Sequence, residues 1–226
     1  TVHLAYLFGI CVQKSSELED GHPNKKYKYR VVFQGNRVVD QDWESAVFED
    51  LGSSPATLES SRACDVYGCA PGHDCEMADA EQAYVQAALT GKETWVCVPP
   101  EARTGKAWEG CKFNRPVVRL KLALYGHPDA GTCWERHCDS HLKKVGFVPV
   151  SETWPSCYYH EKLKLFLVVY VDDFKLAGPK ENIKEGWRLI KSGLQMEEPT
   201  KGVFLGCNHK RTEKKMPDGT VITMME

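Results

Sequence analysis

The sequence predicts an α+β fold, an antiparallel sheet with helices packed on one face, and three observations carry that expectation. Two apolar runs, Leu165–Val171 and Phe174–Ala177, are separated by only Asp172-Asp173, a hairpin pattern. A second pair of strand-like runs, Val2–Gln13 and Tyr27–Phe33, flanks a polar turn with Gly21 and Pro23. Two helical patterns stand among them: Trp134, Cys138, Leu142 and Val145 in one, Ile183, Trp187, Ile190 and Leu194 in the other.

The remaining elements follow in order. Asp40–Ala63 is rich in Ser, Asp and Glu, with breaks at Gly52 and Pro55, and reads as a loop followed by a helix starting near Pro55. Cys75–Ala78 is a short apolar approach to Asp79. Glu81–Leu89 has no Gly or Pro and is rich in Ala and Gln, which predicts a helix. Thr94–Val98 is a strand stopped by Pro99-Pro100, and Val117–Leu124 is extended or helical up to Tyr125-Gly126. Thr132–Val145 is an amphipathic helix stopped by Gly146. Gly178-Pro179 breaks the chain before the next helix, and Val203–Lys210 reads as a last short strand.

Composition excludes several classes. With 226 residues, 42% hydrophobic and 27% charged in near balance, the chain can bury a sizeable core and is not a disordered segment. No apolar run approaches the roughly 20 residues of a membrane span, so no membrane partner is expected. Thr1 follows no initiator Met, Val2–Ile10 is no signal peptide, and the chain is expected to be part of something longer. Its ten cysteines are scattered and read as reduced thiols. Cys64, Cys69, His73 and Cys75 fit no zinc-ribbon or knuckle spacing, and His137 and His141 read as a solvated helix face.

Residues 38–101 carry 13 acids and two bases, while the rest carries 27 bases and 18 acids. An acidic floor for divalent cations between basic walls would produce this profile, as would a mixed solvated surface. The acids at the centre matter most. Asp172-Asp173 closes a fully apolar strand, where adjacent like charges repel and desolvation adds to the cost. A divalent cation relieves both, although Asp is also common in turns. Asp79, just before a helix, adds a third carboxylate from a neighbouring strand. Three carboxylates on two strands suit two cations roughly 3.5–4 Å apart, one activating a hydroxyl and one holding a triphosphate: nucleotidyl transfer.

Tyr170-Val171-Asp172-Asp173 in an apolar hairpin resembles the active-site motif of reverse transcriptases. Other segments, in order, resemble the copia-type branch of long-terminal-repeat retrotransposon polyproteins. They are Lys28-Tyr29-Arg30-Val31-Val32, Met77 to Tyr84, Trp95 to Pro100, Leu122-Ala123-Leu124-Tyr125-Gly126 and Val203-Phe204-Leu205-Gly206. The resemblance runs from about Tyr27 to Lys210. It implies a fingers–palm polymerase core: fingers at 1–70, truncated at the start; a palm with an interleaved fingers segment at 71–196; a primer-grip strand and the start of a thumb or connection at 197–226.

The resemblance also implies roles. Asp79, Asp172 and Asp173 would be catalytic and would bind two Mg2+ ions, with Mn2+ as a substitute. Lys28, Arg30, Tyr84, Tyr125 and Gly126 would contact the incoming deoxynucleotide, Tyr84 as a steric gate against a 2′-hydroxyl. Phe204, Leu205 and Gly206 would form the primer grip. The activity implied is RNA-directed DNA polymerisation; the alternative is an inactive relic that keeps the fold. Partners would be an RNA or DNA template with primer, dNTPs and other segments of the parent polyprotein. The location would be a cytoplasmic retroelement particle or the nucleus. Two departures stand out: His127-Pro128-Asp129-Ala130-Gly131 replaces the usual Leu-Lys-Gln-Ala-Pro, and Lys175 occupies an otherwise apolar strand.

Overall fold

Strand and helix patterns resolve into thirteen strands and four α-helices among the described residues, 2–48 and 54–226, of a computed structural model. In chain order these are β1 (Val2–Lys14), β2 (Lys26–Phe33), α1 (Leu58–Gly68), β3 (His73–Asp79), α2 (Ala83–Gln86), β4 (Glu93–Cys97) and β5 (Val117–Arg119). Then follow α3 (Ala130–Lys144), β6 (Val148–Ser151), β7 (Trp154–His160), β8 (Leu165–Tyr170), β9 (Asp173–Pro179) and α4 (Lys180–Lys191). The chain closes with β10 (Val203–Phe204), β11 (Cys207–Asn208), β12 (Arg211–Lys215) and β13 (Val221–Met225). The expected break at Gly52 lies outside the described residues.

Contacts divide the chain into two units, Thr1–Leu51 with Ala87–Cys133, and Gly52–Gln86 with Trp134–Glu226. The first unit holds a sheet in the order β2-β1-β4-β5, with β1 antiparallel to β2 and parallel to β4. Ala5, Phe33, Val38 and Val96 form its buried cluster.

The second unit holds an antiparallel sheet in the order β3-β9-β8-β7-β6. Side chains alternate across it, and both faces are covered. On one face Gly68 of α1 leaves room for Cys75 and Ala177; a Cβ there would sit 2.8 Å from the Cys75 Cβ. On the other, Gly186 of α4 lies against Leu165 and Leu176. The expectation of helices on one face is therefore corrected. Both faces of β8 are apolar, so each needs its own cover.

Local differences have local causes. Thr57 caps α1 by accepting the Ser60 N–H, which starts the helix three residues after Pro55. The expected helix over Glu81–Leu89 is one turn, because the chain beyond it pairs instead: Leu89 N–H donates to Lys121 O at 2.9 Å and Ala123 N–H to Ala87 O at 2.9 Å. The expected strand Val203–Lys210 is a tight hairpin, turned by Leu205 and Gly206 at φ +50° and +74°. His141 is no solvated residue: its Nε2 lies 2.9 Å from Ile190 O, joining α3 to α4. No described helix is long and apolar enough to cross a membrane.

Candidate active site

The Tyr170–Asp173 segment forms a two-residue turn, but one residue earlier than the sequence indicates. Tyr170 pairs with Asp173, so Val171-Asp172 is the turn and Asp173 opens β9. Val171 has φ +57°, an unusual conformation for a β-branched residue, costing about 1–3 kcal/mol. Two hydrogen bonds hold it. The Trp134 indole N–H donates to Val171 O at 2.6 Å, and the Ala80 N–H donates to Asp172 O at 2.7 Å. Both bonds come from elements flanking the hairpin, and together they fix where the Asp172 carboxylate is carried.

The second bond joins the turn to the strand bearing Asp79. Antiparallel pairing of β3 with β9 puts Asp79 directly opposite Asp173, two carboxylates on one face of adjacent strands. Such pairs have Cβ atoms about 4.5–5.5 Å apart, and like charges there repel. Burial, the Asp79 charge, a hydrogen bond with Asp79 and the Asp172 charge push the Asp173 carboxyl up to about 7. The Asp173 carboxyl therefore keeps its proton up to about neutrality, with the neighbouring Asp79 and Asp172 charges adding to the effect of burial. Among the described residues no group of three His, Cys, Asp or Glu side chains is placed to hold a metal ion. By chemistry, the three carboxylates supply the oxygen-only donors that a hard divalent cation takes.

The structure places the other expected residues in two groups. Tyr84, half-buried, lies in α2 shortly after Asp79. That single turn is pinned by Gln86, whose Nε2 donates to Glu81 O (2.7 Å) and Gln195 O (2.9 Å) while its Oε1 accepts from Gln195 N–H (2.8 Å). In the first unit, Lys28 and Arg30 share a face of β2, opposite Val12 and Ile10. The Arg30 guanidinium lies 5.5 Å from the Tyr125 ring centroid. Gly126, at φ +88°, is required by the chain itself: a Cβ would come within 2.2 Å of Phe33 O. Phe204 of the expected primer grip is buried core, with the Lys175 ammonium 4.9 Å from its ring centroid; Leu205 is exposed in the turn.

Lys175 and His127, one from each departure, turn inward. Lys175 is fully buried on the Asp173 face, 2.5 Å from the Asp65 carboxylate and 3.1 Å from the Ser61 hydroxyl, both on α1. His127 is buried against Phe33 and Phe48, at 4.7 and 5.6 Å between ring centroids. Its Nδ1 accepts the Asp129 N–H at 3.1 Å, and burial lowers its pKa to about 4. Trp134 and Gln86 are the positioning residues that sequence reasoning missed; nothing in a helix pattern says which backbone carbonyl an indole or amide will meet.

Residues 12–214 match the reverse transcriptase (RNA-dependent DNA polymerase) family, and the chain belongs to that family. It is thus an RNA-directed DNA polymerase domain, a nucleotidyltransferase whose substrates are a nucleic-acid template with primer and dNTPs.

Proposed function

We propose that Asp79, Asp172 and Asp173 form the catalytic centre of two-metal nucleotidyl transfer, adding a deoxynucleoside monophosphate to a primer 3′-hydroxyl and releasing pyrophosphate. The observation that carries this reading is the Asp79–Asp173 pair facing across β3 and β9, with Asp172 held beside it in a strained, doubly anchored turn. Two Mg2+ ions held by these carboxylates, or Mn2+ in their place, would supply an activated hydroxyl and charge neutralisation at the leaving group. The chain's own part is to hold the carboxylates on two rigid strands and to release the Asp173 proton to solvent as cations take its place.

Lys28 and Arg30 bind the triphosphate, Arg30 with its fork of donors braced on Tyr125. Tyr84, on the turn fixed by Gln86, closes the sugar site against a 2′-hydroxyl. Leu205 and Gly206 present the primer-grip turn, with Phe204 as its buried anchor. In this reading the first unit carries fingers residues, the second is the palm, and residues 197–226 lead towards a thumb. The parent is a copia-type retrotransposon polyprotein, working with its other segments in a cytoplasmic particle or the nucleus. The test is extension of a DNA primer on an RNA template with Mg2+. Wild type should extend, and Asp172→Asn should lose about 10²-fold or more. Equal extension by both would reject the site, and no extension by wild type would favour the inactive relic.

A further inference from the structure

Residues 195–200, which follow α4, run antiparallel along the outer edge of β3. Bridges join Ala80 to Met196 and Met77 to Thr200. The Glu197 N–H donates to Asp79 O at 2.8 Å, and the Glu81 N–H donates to Gln195 O at 2.9 Å. Leu194 and Met196 are buried, so this rail is anchored in the core beside the strand that carries Asp79.

The pairing ends at Glu81, where Gln82 takes φ +49° and the chain turns into α2. A positive φ at a non-glycine residue persists only where its surroundings over-determine it, and a helix of four residues is not stable by itself. Gln86 supplies what is missing. Its side-chain amide meets the Gln195 backbone as another peptide group would, accepting the Gln195 N–H at 2.8 Å and donating to Gln195 O at 2.9 Å. The same Nε2 donates to Glu81 O at 2.7 Å and closes the turn. These bonds need a donor and an acceptor at the end of one side chain of this length. Glutamate lacks the donor, and methionine has neither an N–H nor a carbonyl.

We propose that Gln86 determines sugar selectivity: by tying the one-turn helix to residues 195–200, it holds Tyr84 where the ring excludes a ribose 2′-hydroxyl. This deepens, and rests on, the reading of Tyr84 as the sugar gate. Tyr84 lies two residues before Gln86, inside the turn that the amide closes. Exclusion by contact depends on where the ring stands, and a displacement of about 1 Å can cost about 10²-fold. Gln86 acts through Tyr84 and is therefore a positioning residue. Its anchor lies 109 residues away along the chain, at the far end of α4.

The experiment is single-nucleotide insertion by the full chain on a primed RNA template with Mg2+, reading kcat/KM for a dNTP and for the matching rNTP on one preparation of each variant. Gln86→Met and Gln86→Glu should each lower the dNTP-to-rNTP ratio about tenfold or more. Gln195→Ala should keep the wild-type ratio, because Gln86 meets only the backbone there. Partial loss of folded protein lowers both nucleotides alike and leaves the ratio as it was. An unchanged ratio in both Gln86 variants would therefore overturn the proposal. Tyr84→Val separates the two readings. If it lowers the ratio while the Gln86 variants do not, the gate stands and the role of Gln86 falls. If Tyr84→Val leaves the ratio unchanged, the gate reading fails and the role of Gln86 falls with it.

Discussion

Asp173 and Lys175 sit two residues apart on the same face of β9, yet the protein treats their charges in opposite ways. Lys175 is fully buried and answered by the Asp65 carboxylate, the Ser61 hydroxyl and the Phe204 ring. Asp173 is less buried and meets a second carboxylate, Asp79, so that it holds a proton up to about pH 7. One end of the strand has been completed from within and is structural. The other has been left short of positive charge, which is what a site for an external cation requires.

Substitutions can break that contrast, and the largest effect should fall at the completed end. Lys175→Ala leaves Asp65 buried without its partner and should cost about 3–5 kcal/mol in denaturant unfolding. Replacing both partners, Lys175→Met with Asp65→Leu, should recover most of the loss, because an apolar pair of similar volume incurs no desolvation cost. If the double variant is as unstable as the single, the pair is not the unit described here.

The two units should also respond oppositely to pH. His127 has a folded pKa below its unfolded value, so its contribution is complete above about 6.5 and is lost as pH falls towards 4. Up to about 3 kcal/mol of local stability is at stake, read by hydrogen exchange in the first unit; His127→Phe should flatten the profile. Asp173 has the reverse sign. Its folded pKa is raised, so with chelator present the second unit should lose stability as pH rises from about 4 to 7. Allowing for solvent screening, that is on the order of 1–2 kcal/mol, and Asp173→Asn should abolish it.

The smallest effect concerns the turn. Trp134→Phe keeps the packing of α3 but removes the indole bond to Val171 O. It should cost about 1 kcal/mol in stability while lowering primer extension. Unchanged extension would show that the strained turn does not need this anchor.

Legibility in the sequence followed physical range. The β8–β9 hairpin and the helices α3 and α4 were readable because burial and period are local properties of the residues that show them. The turn was misplaced by one residue because Asp173 is a strand residue, kept in the ladder by its pairing with Asp79. Lys175 read as an anomaly since its partner lies on α1, 110 residues earlier. The brevity of α2 was hidden for the same reason: its would-be continuation pairs with residues 121–123. Strands β6 and β7 and the hairpin β12–β13 went unassigned. For the last, the signal was present in Pro217-Asp218-Gly219, where Gly219 takes φ +87° and Asp218 accepts the Thr220 N–H. Of the candidate site, the strand-end positions of the three acids were legible, whereas the facing of Asp79 and Asp173 required the register of β3 on β9.

The measurement closest to the central claim is calorimetric titration of Mg2+ with a dNTP, in two buffers of different ionisation heat, just below pH 7. Wild type should bind the ion and release a proton from Asp173, while Asp173→Asn should bind more weakly and release none. Magnesium binding of equal strength in both proteins, with no proton released by either, would contradict the account.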